Sequence, residues 1–259
     1  MTVSDEDDHW TWTVPGALAV FTSREGGICP APLDSLNVGA HVGDDPANVA
    51  TNRERAAALM GLDAAHVAGV TQVHGADVWL DLVHTDTLSD DVRWDWASAR
   101  VEADALVSAR AGIALAVGVA DCMPIAVAWG DAIAAIHAGW RSLEGGVIES
   151  TMHVLRRAAG SAVAIGELAP QAVIGPCLGA CCMEVGEDVA ARFDPSVVVR
   201  RDGMPRPFLD ARSDALRRLE AAGCSVEHVD VCTKHDPRCF SHRGDRGLGG
   251  RQAMLVRRT

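Results

Sequence analysis

The sequence predicts a single α/β (α+β) domain in which a mixed β-sheet is flanked by helices. Short apolar runs typical of strands alternate irregularly with stretches of helical spacing, and at least one pair of strands is joined by a two-residue turn. Neither an internal repeat nor a low-complexity linker divides the chain. The chain has 259 residues and 48% hydrophobic content, so one large core is expected over residues 1–259.

The N-terminal half supplies strands and one capped helix. Residues 1–10 are acidic and are expected to form a mobile tail. Apolar runs predict strands over 17–22 and 67–73. Between them, a helix is predicted over 46–60, because Asp45 is a good N-cap and a proline follows it at the first helical position.

The C-terminal half continues the same irregular alternation. Strands are predicted over 103–108, 172–174, 226–231 and 252–256, and helices over 144–159, 185–193 and 210–222. Asp210 is the expected N-cap of the last helix and Gly223 its C-cap. The final strand, over 252–256, is expected to pair at the edge of a sheet.

The strongest local signal is a hairpin in the middle of the chain. Two apolar runs over 125–129 and 132–136 are separated only by a Gly-Asp pair, which tolerates the backbone of a tight turn. With that turn, Pro124 faces His137, and Cys122 lies just beyond the same open end. Turn chemistry alone therefore brings a thiol and an imidazole together.

Charge and composition exclude several classes of partner. The formal net charge is -12, so the basic face of a nucleic-acid binder is not expected. The N-terminus lacks the pattern of a signal peptide, and no apolar run reaches the ~18 residues needed to span a bilayer. We therefore expect a cytoplasmic protein without a membrane partner. Its eight cysteines are expected to be thiols or metal ligands rather than disulfides.

His74, Cys122 and His137 each lie where an apolar strand gives way to a turn, and three interpretations remain open. Spacing alone favours a packed thiol and two satisfied loop histidines, because His74 is distant from Cys122 in sequence. Alternatively, the three side chains form a borderline-soft set that binds zinc and leaves an open position for water. A nucleophile–base pair of Cys122 and His137, with Asp121 orienting the imidazole, competes evenly with zinc.

Two further groups have spacings that resemble metal sites, namely Cys177, Cys181 and Cys182, and Cys232, His235 and Cys239. The first group could hold a structural metal or form a redox pair. A tight loop of small side chains is favoured, because no histidine or fourth cysteine is near in sequence. The second group has three candidate ligands rather than four and is therefore a weaker candidate for a metal site.

Other motifs narrow the chemistry. Four arginines lie beside glycines and could bind a phosphate or carboxylate: Arg24, Arg141, Arg243 and Arg251. For any single one, an exposed and solvated side chain is the favoured interpretation. The phosphate-binding loop, the dinucleotide fingerprint, the nucleophile elbow and the zinc-deaminase motif are all absent. No His-x-His occurs, so the closely placed imidazoles of a multi-copper site are missing.

Separated motifs, in a fixed order, carry a resemblance that spans residues 17–256. They are TQVHGADV (71–78), ADALVS (103–108), VADCMPIAV (119–127), HAGWRS (137–142), IGPCLGACCMEVG (174–186) and CFSHRGDRGLGGRQA (239–253). The chain resembles the YfiH-like family, whose members are labelled polyphenol oxidase (laccase) domain or peptidoglycan editing factor.

The resemblance implies an α/β sandwich with a mixed sheet and a zinc ion held by His74, Cys122 and His137. It also implies a purine nucleoside phosphorylase that acts with phosphate on adenosine, inosine, guanosine or methylthioadenosine, and an adenosine deaminase activity. A Cys-His amidase that edits peptidoglycan precursors is the alternative. A laccase is disfavoured by the missing His-x-His.

Further roles are hypotheses from loop placement. Asp121 and Arg141 are expected to act in catalysis beside Cys122 and His137, and Arg24 and Asn37 are expected to bind substrate. The chain also departs from the family pattern, because Met183 and His242 stand where tyrosines are usual. These two changes remove aromatic or hydroxyl groups from the expected pocket and leave the preferred base open.

Overall fold

Two six-stranded β-sheets pack face to face, and helices cover both outer faces. The computed structural model describes residues 2–81, 88–94, 99–160 and 168–259. In these ranges the strands are β1 (Thr2–Asp5), β2 (His9–Val14), β3 (Ala17–Thr22), β4 (Val67–Ala68), β5 (Val78–Leu80), β6 (Ala105–Ser108), β7 (Ala114–Val119), β8 (Met123–Trp129), β9 (Ala132–Ala138), β10 (Gln171–Ile174), β11 (Val198–Val199), β12 (Phe208–Leu209), β13 (Ser225–His228) and β14 (Gln252–Arg258).

The α-helices in the described ranges are α1 (Pro46–Ala58), α2 (Trp140–Glu144), α3 (Val147–Ala158), α4 (Glu187–Ala190) and α5 (Ala211–Ala221). Asp45 caps α1 by accepting the Ala47 N–H, as predicted. Asp210 caps α5 in the same way, through the Ser213 N–H, also as predicted. No helix in the described part of the chain is both long and apolar enough to cross a membrane.

Both large sheets contain parallel and antiparallel pairs. The first has the order β1-β2-β3-β14-β7-β4 and the second the order β13-β10-β8-β9-β6-β5, while β11 and β12 form a small separate pair. Antiparallel pairs form the centre of each sheet, and parallel pairs lie at the ends. In the first sheet the parallel pair is β4 with β7; in the second sheet the parallel pairs are β10 with β13 and β5 with β6. The predicted mixed α+β fold is confirmed, with two large sheets instead of one.

Apolar side chains divide among three cores. The core between the sheets contains Trp12 and Phe21 from the first sheet together with Leu106 and Ile133 from the second. A second core packs α3 and α5 against the outer face of the second sheet. A third packs α1 against the outer face of the first sheet. The layers are therefore helix, sheet, sheet and helix.

The central hairpin follows the predicted register. β8 and β9 pair antiparallel, with Trp129 opposite Ala132 and Pro124 opposite His137. Gly130 in the turn has a φ of 56°, a left-handed conformation that glycine adopts without steric cost. The open end of this hairpin therefore carries the residues that the sequence placed there.

The structure corrects the two predictions for the chain ends. The predicted mobile tail instead forms β1 and β2, because alternating residues of β2 turn Trp10 and Trp12 into the core, where they are 1% and 0% exposed. The strand over 252–256 lies in the middle of the first sheet, between β3 and β7. Its residues are buried on both faces, as a central strand requires.

Three element boundaries also differ. The predicted strand over 67–73 is regular only at β4, because after Ala68 the backbone bonds loop residues instead: the Gly69 N–H donates to the Val92 carbonyl, and Thr71 bridges Glu102. The helix expected over 144–159 is divided by Gly145 and Gly146, and Gly146 has a φ of 83°. The helix expected over 185–193 is reduced to the single turn of α4.

Close packing of Gly175 against Phe21 yields a test of the contact between the sheets. A Cβ atom at position 175 would lie 2.2 Å from Cδ1 of Phe21, whose side chain is 1% exposed. Gly175→Ala is expected to lower the free energy of unfolding by about 1–3 kcal/mol. Phe21→Ala is expected to lower it by about 3–5 kcal/mol.

In the Phe21→Ala background, the added methyl group meets no ring. Gly175→Ala should then cost less than in the wild type, giving a favourable coupling energy in a double-mutant cycle measured by urea denaturation. If the changes in unfolding free energy of the two substitutions simply added, the contact between Gly175 and Phe21 would be contradicted.

Candidate metal centre

Three adjacent strands carry polar residues to one end of the second sheet. Alternate residues of β6, β8 and β9 face the core between the sheets, including Leu106, Ala126 and Ile133. Asp104, Cys122 and His137 continue the same alternation, so they project from the same face at the end of the strands. The His137 N–H donates to the Asp104 carbonyl (2.8 Å), which extends the pairing of β6 and β9 to this point.

Cys122 and His137 form the inner part of the centre. His137 is 3% exposed, whereas Cys122 is half-buried. Burial raises the pKa of Cys122, but the charge and hydrogen bonding of His137 outweigh it, so the pKa is about 6. Burial lowers the pKa of His137, but the Cys122 thiolate and the Asp104 carboxylate raise it to about 9. Without a cation, the pair is therefore a thiolate and an imidazolium at neutral pH.

His74 reaches the centre from a separate loop. Its Nε2 lies 3.8 Å from Sγ of Cys122, and its ring is 4.8 Å from the His137 ring, centroid to centroid, with the planes at 77°. The φ of His74 is 59°, a left-handed conformation that costs a residue with a side chain about 1–3 kcal/mol. Strain of this kind persists where surrounding contacts impose it.

Asp104 imposes that conformation. Its buried carboxylate accepts the backbone N–H groups of Val73 (3.2 Å), His74 (3.0 Å) and Gly75 (2.5 Å). It also lies 2.7 Å from Nδ1 of His137. Burial raises the pKa of Asp104, but the bond from His137 and these N–H donors hold it below its usual value. The ionised carboxylate only accepts, so Nδ1 of His137 carries the proton and Nε2 is available to a ligand.

Gly139 leaves the space in which the side chains converge. It precedes α2, and a Cβ atom there would lie 2.9 Å from Cδ2 of His74 and 3.1 Å from Sγ of Cys122. A side chain at position 139 would therefore force the imidazole and the thiol apart. The glycine is needed for close approach rather than for its backbone conformation.

The three converging side chains fit a metal ion. One ligand atom each from His74, Cys122 and His137 lies within 4.8 Å of the other two. Tetrahedral nitrogen and sulfur ligands of zinc lie about 3.3–3.6 Å apart, so side-chain movements of about 1 Å would close the site. Two imidazoles and one thiolate leave a fourth position open, as in catalytic zinc sites. Asp104 also provides the hydrogen bond that fixes the ring of a ligating histidine.

The centre lies on the wall of a cavity of about 550 Å³, a size typical of small-molecule sites. Gly118 and Val119 of the first sheet line this wall together with Cys122 and His137 of the second, so the cavity lies at the end of the inter-sheet space. Met183 and His242, which stand where tyrosines are expected from the family resemblance, also line it. A substrate in the cavity would therefore contact both the centre and these two side chains.

The prediction that Asp121 orients His137 is corrected by the contacts of Asp121. The residue lines the cavity, but its carboxylate accepts bonds from Thr233 Oγ1 (2.7 Å), Ser241 Oγ (2.7 Å) and the Arg243 N–H (2.6 Å). The carboxylate that orients His137 is Asp104. Asp121 has a φ of 89° and joins the loop before β8 to the C-terminal loops.

Arg141 and the two expected substrate-binding residues differ in position. Arg141 lines the cavity and stacks on Trp140, with its guanidinium carbon 4.2 Å from the ring centroid. Arg24 lies outside the cavity lining and bonds the Asp34 carbonyl and carboxylate. The Asn37 side chain also lies outside, but its Oδ1 accepts the backbone N–H of Arg251, a residue of the cavity wall (2.9 Å).

Sequence reasoning missed Asp104 and Gly139. A signal existed for Asp104, because an acidic residue directly before an apolar strand is unusual and the register of β6 with β9 places it beside His137. Gly139 lay within the motif HAGWRS but offered no sign of what it approaches. Its role depends on the position of a loop that is distant in sequence.

Fold and site define a class, a two-sheet α+β protein with a His-Cys-His centre at the end of its inter-sheet space. The chain belongs to the family described as multi-copper polyphenol oxidoreductase laccase, whose model matches residues 18–259. The predicted YfiH-like resemblance is confirmed by the crystal structure of the Bacillus licheniformis hypothetical protein YfiH. That structure has a TM-score of 0.83 and 25% identity, and the match covers 98% of each chain.

Relatives and a second structure agree with this assignment. The Streptomyces griseus protein named purine nucleoside phosphorylase ORF3 is 37% identical over 250 residues, covering 93% of this chain and 95% of that protein. Purine nucleoside phosphorylase YlmD of Geobacillus stearothermophilus is 33% identical over 260 residues, covering 94% and 90%. The crystal structure of YlmD from that organism has a TM-score of 0.83 and 29% identity, covering 99% and 98%.

Asp104→Asn is expected to weaken metal binding by about 10–100-fold, because it removes the charge that orients His137 and organises the His74 loop. Competition for zinc against a chromogenic chelator measures this affinity. Asp214→Asn is the matched control, since Asp214 is equally buried but pairs with Arg217 and Arg218 on α5. An equal loss of zinc affinity in both variants would contradict the role of Asp104.

Proposed function

We propose that this protein is a zinc-dependent purine nucleoside phosphorylase. The observation that carries the proposal is the convergence of His74, Cys122 and His137 on the wall of a nucleoside-sized cavity. The names of relatives at 33–37% identity support the substrate class. In this reaction a phosphate oxygen forms a bond to C1′ of the ribose as the bond from C1′ to the purine breaks. A proton on the departing base neutralises its charge.

The donor set supports zinc more than a group of copper ions. Among the described residues, the clusters close enough to share a metal contain two imidazoles at this centre and one elsewhere. Several adjacent coppers need more imidazoles than this. When bound, zinc supplies a Lewis acid that polarises an oxygen or nitrogen of the substrate or co-substrate.

The protein's own residues would position the reactants around this centre. Asp104 keeps the proton on Nδ1 of His137 and so leaves Nε2 free to bind. Arg141 lines the cavity, and no carboxylate among the described residues forms an ion pair with it, so it can bind phosphate. Asn37 acts indirectly in this proposal, by fixing the backbone of Arg251 in the cavity wall. Arg24 supports the loop that contains Asp34.

We extend the proposal to adenosine deamination at the same cavity, in which water adds at C6 of the purine and ammonia leaves. Adenosine, inosine, guanosine and methylthioadenosine are all candidate substrates for the phosphorolysis. Met183 and His242 line the cavity wall and would contact the base. A cytoplasmic location belongs to the proposal and is supported by all eight cysteines being free thiols.

One observation favours a second candidate, a thiol amidase acting on peptidoglycan precursors. Cys122, His137 and Asp104 stand in the order nucleophile, base and orienting carboxylate, and the pKa of the thiol is lowered to about 6. His74 would have no necessary role in that mechanism. The two candidates therefore differ in whether His74 and a bound metal are required.

His74→Ala and Cys122→Ala are each expected to remove the zinc held at this centre and to lower kcat/KM for phosphorolysis by more than about 10³, because the Lewis acid is lost. Chromatography of free base and ribose 1-phosphate, with and without phosphate, measures the reaction, and inosine formed from adenosine measures deamination. Cys224→Ala is the matched control, since this buried thiol packs beside Met152 away from the cavity. Full turnover by Cys122→Ala would refute the proposal.

Chelation and alkylation separate the two candidates. The chelated, metal-free protein is expected to be inactive and to regain activity with zinc. Its Cys122 should react with iodoacetamide at a rate that rises through about pH 6 and then levels, because the thiolate predominates above its pKa. Zinc should protect the thiol. Hydrolysis of an amide in a peptidoglycan precursor that survives chelation but not alkylation would instead identify the thiol amidase.

A further inference from the structure

A second cluster of metal-type side chains lies outside the centre described above. Two segments that are distant in sequence form it, a turn that carries Cys181 and Cys182 and a turn that carries Cys232 and His235. One ligand atom from each of these four residues lies within 4.8 Å of the other three. The sequence showed the two halves separately, each with too few ligands.

Backbone hydrogen bonds bring the halves together. Cys177 and Cys232 form a parallel bridge, and the Thr233 N–H donates to the Cys177 carbonyl (3.0 Å). The Cys182 N–H donates to the Gly179 carbonyl (2.9 Å) and closes the first turn. The Gly179 N–H points at Sγ of Cys232 (3.3 Å), the kind of contact that stabilises a metal-bound thiolate. The arrangement is therefore specified by the main chain and not by chance contact of surface side chains.

Glycine at position 179 favours this close approach. A Cβ atom there would lie 3.2 Å from Sγ of Cys181 and 3.3 Å from Cβ of Cys232. The His235 ring contacts both cysteines of the first turn, with Nδ1 3.7 Å from Sγ of Cys181 and Nε2 3.2 Å from Sγ of Cys182. Three sulfur atoms and an imidazole thus surround one point.

We propose that Cys181, Cys182, Cys232 and His235 bind a structural zinc ion. Three thiolates and one imidazole are a complete tetrahedral set, and a closed set of this kind is typical of structural sites. The four ligand atoms lie within 4.8 Å of one another, and tetrahedral sulfur ligands on zinc lie about 3.8 Å apart, so only a small contraction of the cluster is needed. Binding the metal displaces the thiol protons, and the complex then carries one net negative charge.

Neighbouring cations match that charge. Arg201 donates to the carbonyls of Ala180 (3.0 Å) and Cys181 (3.1 Å) on the first turn. Arg243 donates to the carbonyl of Cys182 (3.2 Å), and Lys234 lies between the two ligands of the second turn. A disulfide would join only two of the three sulfurs and would leave the third, and His235, without a role.

The bound zinc would hold one wall of the active-site cavity. Leu178 and Met183 flank the first turn and line the cavity, and Arg243 lines it as well. Zinc at the second site therefore fixes these residues without touching a substrate. Loss of this zinc is expected to raise KM more than it lowers kcat.

Zinc analysis of the purified full-length chain tests the proposal. The wild type is expected to hold two zinc ions per chain, one for each cluster. Cys232→Ser and Cys122→Ala are each expected to hold one, the double variant none, and the control Cys224→Ser two. Because Cys122→Ala lacks the first site, it reports on the second whether or not the protein is a phosphorylase. Cys122→Ala without zinc would overturn the proposal, and so would unchanged zinc in Cys232→Ser.

If Cys232→Ser fails to fold, the folded Cys122→Ala variant still tests the proposal. With cobalt(II) in place of zinc, it should show tetrahedral visible bands and thiolate charge-transfer absorption of the strength expected for three sulfurs. After chelation and denaturation without reductant, all its remaining cysteines should titrate as thiols. Absence of the charge-transfer absorption, or two thiols missing to a disulfide, would refute the site.

Discussion

The buried carboxylate of Asp104 joins the loop that carries one histidine of the candidate centre to the strand that carries the other. It accepts N–H groups from the loop that carries His74 and binds the ring of His137, which belongs to β9. A carboxylate without exposed surface is costly unless donors surround it, and here three N–H groups and an imidazole do so. The left-handed conformation of His74 persists because the bonds to Asp104 offset its strain. The candidate centre depends on this one side chain.

The sandwich explains why the centre lies where it does. The space between the two sheets is filled along its length by apolar side chains such as Leu106 and Ile133. A polar group in that interior would lack partners, so groups that bind metal or substrate are confined to the ends of the strands. The register of β6, β8 and β9 brings Asp104, Cys122 and His137 to the same end. Helices on both outer faces leave this end open as a cavity.

Local signals in the sequence predicted local structure well. The hairpin register that places Pro124 opposite His137 follows from a two-residue turn, and the cap at Asp45 follows from its side chain and the proline after it. The contacts of Asp104 with the His74 loop depend instead on tertiary packing, and so does the meeting of Cys181 with Cys232. Family resemblance supplied His74, which spacing could not. Neither source of information indicated that β14 lies in the centre of a sheet, because burial on both faces is a property of the assembled layers.

Asp121 links the two candidate metal sites mechanically. It directly precedes Cys122, and its carbonyl accepts the N–H of Leu178 at the start of the segment that carries the first cysteine turn (2.9 Å). Its carboxylate binds Thr233, which follows Cys232, and the backbone of Arg243. These three contacts and the bond from Ser241 Oγ together sustain the φ of 89° at Asp121, since no single one of them is strong enough to impose it. A shift of either cysteine turn would therefore reach Cys122 through one residue, which makes the second site a support for the first.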